Sequence, residues 1–182
     1  MAKTTKSTTN DKKTADATEQ KKKWKVNRQH KMLIGSLFML FAIALFVAFI
    51  SFFIHGQEDQ SAVLELSDRS EPVNNWLGKF GAFLADFFIY KGFGVASFLF
   101  TKLFFLTGAF IALDISLKKL KNIWFWDLFF IVLLSISFGF FWASLPELGG
   151  TVGYEMNLFF QDYIGKIGTS LLLLLGIVIY LI

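Results

Sequence analysis

The sequence predicts an all-α membrane protein: a four-transmembrane-helix bundle with an interfacial amphipathic helix before the second span. Three observations carry this. Hydrophobic residues fill 54% of the 182 positions, Phe alone supplies 24, and mean hydropathy is +0.54, which a soluble domain could not hide from water. Apolar runs long enough for a hydrocarbon core of about 30 Å recur along the chain. Charge is segregated as well. Residues 1–31 carry ten Lys/Arg against Asp11, Asp16 and Glu19, a net of +7, whereas the remainder is net −3.

The tail, residues 1–31, is rich in Lys, Thr, Ser, Asn and Gln, with Trp24 its only large aromatic. It cannot bury enough apolar surface to fold alone and reads as a basic, disordered cytoplasmic tail. Its last part, KKKWKVNRQHK from Lys21 to Lys31, suits anionic headgroups and topology determination, at roughly 1 kcal/mol per basic residue near the surface. Nucleic-acid binding is the weaker alternative so close to an apolar span.

The membrane domain covers residues 32–182. Its first span, Met32–Ile54, has no ionisable group. The long apolar run and the absence of a small-residue cleavage site in ISFFIHGQ mark a signal anchor, not a cleaved signal peptide. His55–Val73, rich in acids and serine, reads as an exposed loop. From Trp76 to Tyr90, Trp76, Leu77, Phe80, Phe83, Leu84, Phe87 and Phe88 recur at helical spacing, with Lys79, Ala82 and Asp86 opposite. This stripe predicts a helix in the headgroup plane.

The second span is placed at 93–113, the third at 123–145 and the fourth at 164–182. Lys118, Lys119 and Lys121 lie between the second and third, and Pro146–Gly165 reads as a loop with glycines and acids. Trp124, Trp126, Trp142, Tyr154 and Tyr163 fall near proposed span ends, where amphipathic rings prefer to sit. Counting basic residues in the short flanks puts both termini and the second connection in the cytoplasm, with the first and third connections outside. The fourth run, GTSLLLLLGIVIYLI, reaches Ile182 after fifteen residues, short of the roughly 20 that a span needs. The expectation is an N-terminal anchor whose chain continues beyond Ile182.

No catalytic, cofactor-binding or metal-binding residues are predicted. His30 and His55 lack neighbouring ligands. With no cysteine there is no thiol nucleophile, disulfide or thiolate site, and the redox compartment stays unassigned. KGFGVAS (Lys91–Ser97) ends in Ser where a dinucleotide fingerprint needs Gly, and Gly165-Lys166 lacks the rest of a phosphate loop.

Lys102 is the interior anomaly, because an ionised lysine costs about 2.5–3.5 kcal/mol at a helix centre on insertion scales. Asp127 is the nearest candidate partner, but with the third span starting at 123 the axial offset is about 10 Å. Lys102 is therefore expected to be structural, at a polar helix interface or subunit contact, with no partner at equal depth. Small residues form packing faces at Gly94, Ser97, Thr101, Gly108 and Ala112 in the second span, and at Ala44, Ala48 and Ser51 in the first.

Two stretches resemble the N-terminal four-span domain of FtsK/SpoIIIE-type DNA translocases. One is Asn75-Trp-Leu-Gly78-Lys-Phe-Gly81-Ala82-Phe-Leu-Ala85-Asp86 with the following Gly92-Phe-Gly94. The other is Gly149-Gly150-Thr-Val-Gly153 with Gly165-Lys-Ile-Gly168. The resemblance covers residues 32–182 and implies a septal anchor in the bacterial inner membrane. Its partners would be the lipid bilayer, divisome membrane proteins and further copies of itself as a hexamer. It would be inactive as an enzyme, and DNA would be reached only through a C-terminal ATP-driven motor absent from these residues. The glycines would shape loop–helix junctions. The competing class is a small transporter or channel subunit using Lys102 and Asp127, which a paired intramembrane charge would favour.

Overall fold

A computed structural model describes residues 27–64, 73–142 and 144–182. Most of the basic tail, residues 1–26, and part of the first connection, residues 65–72, lie outside the described residues. Five α-helices follow in order: α1 (Arg28–Leu64), α2 (Gly78–Ala85), α3 (Phe98–Ala112), α4 (Leu117–Phe141) and α5 (Pro146–Leu181). Between α2 and α3 the chain makes a widened π-type turn, Asp86–Phe93, and a tight 3-10 turn, Gly94–Ser97. Four helical stretches are long and apolar enough to cross a membrane: Arg28–His55, Gly78–Ala112, Leu117–Phe141 and Glu147–Leu181. The fold is an all-helical four-span membrane bundle.

The helices run antiparallel in chain order, and side-chain contacts set the register. Along α1 and α3, Lys31 meets Asp114, Gly35 meets Gly108, Phe41 meets Phe104, and Phe49 meets Phe98. Gly35 and Gly108 are mutually essential to this approach. A Cβ on either would lie 2.5 Å from the other's carbonyl oxygen, so two bare backbones form the seam. Along α3 and α4, Thr107 accepts from the Trp124 indole at 3.0 Å, and Leu103, Phe100 and Ile131 pack in one apolar cluster. Tyr180 of α5 stacks on Phe130 of α4 with ring centroids 4.4 Å apart.

Helices extend past the apolar runs that announced them. α1 begins at Arg28, so the last basic residues of the tail are already helical, and it continues to Leu64 through what reads as loop. α4 begins at Leu117 and incorporates Lys118, Lys119 and Lys121. Trp124 and Trp126 are half-buried within α4, packed on Phe104 and Tyr180. The predicted loop at Pro146–Gly165 is the clearest correction. This stretch is helical, with Pro146 in the first turn and breaks at Gly150 (φ 67°) and Gly165 (φ 71°). Glycine and acid content signals a loop, but here Gly153 and Asn157 are contact residues on a helix face that docks on α4, and packing overrides propensity.

The predicted aromatic stripe before the second span divides, with Leu84 and Phe88 half-buried against the core cluster of Leu45, Phe49 and Phe52. Trp76, Phe80, Phe83 and Phe87 are exposed, while Gly81, Ala82 and Ala85 are buried. Ala85 and Ile89 pack against Leu45, Phe49 and Phe52 of α1. Asp86 does not stay on a solvated face: it is 6% exposed, and its carboxylate lies 2.7 Å from the Lys91 ammonium.

Candidate functional site

Of the residues singled out in the two sequence stretches, Asn75, Gly78, Gly81, Ala82, Gly92, Gly149, Gly150 and Gly153 converge at one end of the bundle. Asn75 organises the entry. Its amide donates to the Ala48 carbonyl of α1 at 3.1 Å, and its side-chain oxygen accepts from the Leu77 N–H at 3.1 Å. The Trp76 N–H donates to the Ser51 hydroxyl at 3.0 Å. Gly78 then turns the chain at φ 63°, and its N–H donates to the Asn75 carbonyl at 2.7 Å. Gly81 is buried directly beneath Asn75, with no room for a Cβ, and Ala82 beside it is 2% exposed. A short amide side chain followed by glycines at these spacings clamps the segment onto the small face of α1 at Ala48 and Ser51.

A second knot joins this segment to α4 and α5. Gly94 (φ 62°) and Gly150 (φ 67°) adopt left-handed backbone that side chains disfavour. A Cβ on Gly94 would strike the Leu148 carbonyl, and one on Gly150 would lie 2.5 Å from the Gly94 nitrogen and 2.6 Å from the Ile89 carbonyl. Gly92, also buried, supplies the carbonyl nearest to Gly150. On the α4 side, Gly149 and Gly153 face Ser135 and Gly139. A Cβ on Gly139 would sit 2.6 Å from the Gly153 carbonyl, and one on Gly149 would sit 2.8 Å from the Gly139 nitrogen.

Hydrogen bonds fasten the knot. The Ser135 hydroxyl donates to the Gly149 carbonyl at 2.6 Å, the Asn157 amide to the Gly139 carbonyl at 3.1 Å, and the Thr151 hydroxyl to the Tyr90 carbonyl at 2.9 Å. The Ser97 hydroxyl donates to the Phe88 carbonyl. The first two satisfy buried backbone acceptors that would otherwise be left bare.

Gly165 and Gly168 stand apart from the knot. No atom lies within 4 Å of a Cβ placed on Gly165, and one on Gly168 would first meet Ile164 of its own helix. Gly165 serves the chain direction, and its carbonyl accepts from the buried Thr169 hydroxyl at 2.9 Å. The small residues proposed as one face of the second span also divide. Gly108 and Ala112 pack on Gly35 of α1, whereas Gly94 and Ser97 belong to the knot.

Ser135, Gly139, Asn157 and Gly35 are the participants that sequence reading missed. Ser135 and Gly139 are four residues apart and so share a helix face. That small-residue spacing was the available signal.

Lys102 corrects one part of its expectation, the absence of a partner. Its ammonium lies 2.9 Å from Asp127 Oδ1 and 2.8 Å from Oδ2, so it has a partner at equal depth. α3 ends at Ala112 and α4 starts at Leu117, which places both residues ten positions, about 15 Å, from the hairpin tip. Asp127 is nearly buried, with its side chain 8% exposed, while the Lys102 side chain stays 48% exposed. Lys31 and Asp114 form a third ion pair at the tip itself, at 2.5 Å. Among the described residues, no three His, Asp or Glu side chains gather into a metal-binding group.

A four-span helical bundle whose two re-aimed segments are locked through glycine backbones defines a multi-pass membrane-anchoring domain. The chain belongs to the family described as the 4TM region of DNA translocase FtsK/SpoIIIE, whose model matches residues 27–182. No curated protein and no solved structure matches it.

Proposed function

We propose that this domain anchors a bacterial DNA translocase in the cytoplasmic membrane and delivers it to the division septum, for cell division and chromosome segregation. Both termini lie in the cytoplasm, and the glycine knot lies on the outer side. The domain is not itself an enzyme and uses no cofactor. The DNA motor would be a C-terminal, ATP-driven module following Ile182. Its partners are lipid, further copies of the chain in a hexamer, and membrane proteins of the divisome.

The observation that carries this reading is the family match over residues 27–182. The convergence of Asn75, Gly78, Gly81, Gly92, Gly149, Gly150 and Gly153 at one end of the bundle supports it. The orientation rests on the basic flanks, Arg28 and Lys31 at one helix end and Lys118, Lys119 and Lys121 at the next on the same side. A fluorescent fusion of residues 1–182, expressed in dividing bacteria, tests the septal address. Fluorescence concentrated at division sites is expected, and a uniform membrane signal contradicts it.

The Lys102–Asp127 pair favours a second reading, a transporter or channel subunit, because intramembrane charges commonly mark ion or proton paths. Ion flux in reconstituted vesicles that Lys102→Met abolishes would promote that reading over the anchor.

A further inference from the structure

We propose that the tip of the α3–α4 hairpin is a binding site for an anionic diacyl phospholipid. Two apolar grooves flank the tip. One, of about 250 Å³, runs between Ile34 of α1 and Phe110 and Ile115. The other, of about 350 Å³, is walled by Leu120 and Trp124. Ile111 and Leu117 line both, so the grooves meet at one ridge. Individually they lie near the small end of the roughly 300–1,000 Å³ of ligand sites, and together they fall within it. Two joined apolar grooves open to the membrane match two acyl chains hanging from one headgroup.

The headgroup chemistry follows from what stands at the groove mouths. Lys31 borders the first groove and Lys121 the second. Arg28, Lys118 and Lys119 add three more cations at the same helix ends, against Asp114 as the one acid in residues 27–31 and 113–122. Asp114 pairs with Lys31 beside the mouth and offsets part of its charge, and the Trp124 indole is fixed by its hydrogen bond to Thr107. A basic pocket between membrane helices attracts an anionic phosphate over a zwitterionic headgroup. The inference goes beyond the anchor reading and does not depend on the septal address.

The test is native mass spectrometry of the whole chain in detergent, titrated with dioleoyl-phosphatidylglycerol or dioleoyl-phosphatidylcholine. Phosphatidylglycerol should be retained roughly fivefold or more over phosphatidylcholine, as the basic mouth implies. The double variant Lys31→Gln/Lys121→Gln should erase that preference, and Ile111→Trp, which fills the shared ridge, should lower retention of both lipids. Asp114→Asn frees Lys31 and removes the repelling charge, so its phosphatidylglycerol retention should hold or rise. Lys166→Gln, an exposed lysine away from the hairpin tip, should change nothing. Equal retention of the two lipids by the parent chain would overturn the site. So would unchanged retention in Ile111→Trp, a preference surviving the double variant, or reduced phosphatidylglycerol retention in Asp114→Asn.

Discussion

Lys102 shows how one helix boundary decides the chemistry assigned to a residue. With the third span begun at Ile123, where the apolar run starts, Asp127 is one turn deep and out of reach. With α4 begun at Leu117, the two charges sit at matching depth and touch. The start at Leu117 was hidden because Lys118, Lys119 and Lys121 read as a loop, whereas lysines at a membrane helix end extend toward water and leave the helix intact. The pair changes what substitution should do. Lys102→Met leaves Asp127 buried without its cation and should destabilise the bundle by up to about 3 kcal/mol, a figure moderated by the half-exposed lysine. Lys102→Met/Asp127→Leu should recover most of that loss. Thermal unfolding in detergent checks both. A single variant as stable as the parent would show that the pair does not hold α3 to α4.

At the scale of elements, glycines with similar backbone angles do different work, and substitutions separate them. Gly150→Ala meets both a left-handed φ and three backbone atoms of the neighbouring segment. It should cost above about 3 kcal/mol. Gly165→Ala has open space and should cost only backbone strain, about 1–2 kcal/mol. Ser135→Ala should cost about 1 kcal/mol, by leaving the buried Gly149 carbonyl without its donor. Chemical unfolding of the three variants in one detergent ranks them, and Gly165→Ala as damaging as Gly150→Ala would contradict the knot.

Much of this architecture was legible. Four apolar runs, the aromatic stripe from Trp76 to Phe88, and the order of the glycines are local patterns that read directly from the chain. Their partners were not legible, because Ser135 and Gly139 lie in a run whose apolar character drowns the small-residue spacing. The helix at Pro146–Gly165 exists through Gly153 and Asn157 docking on α4, a contact that no local window contains.

For the whole molecule, the central claim is a four-span anchor with its glycine knot outside and both ends inside. Basic residues dominate one end of the described bundle, where Arg28, Lys31, Lys118, Lys119 and Lys121 face Asp114 alone, while the knot end sets Asp86, Glu147, Glu155 and Asp162 against Lys79, Lys91 and Lys166. By the positive-inside tendency this asymmetry supports the proposed orientation, with both ends of the chain on the cytoplasmic side. The absence of native cysteine makes the orientation directly measurable. Single cysteines at the exposed positions Glu155 and Lys119 can be treated in intact cells with a membrane-impermeant maleimide. The account predicts labelling at Glu155→Cys in intact cells, and at Lys119→Cys only after permeabilisation. Labelling of Lys119→Cys in intact cells, with Glu155→Cys protected, would contradict it.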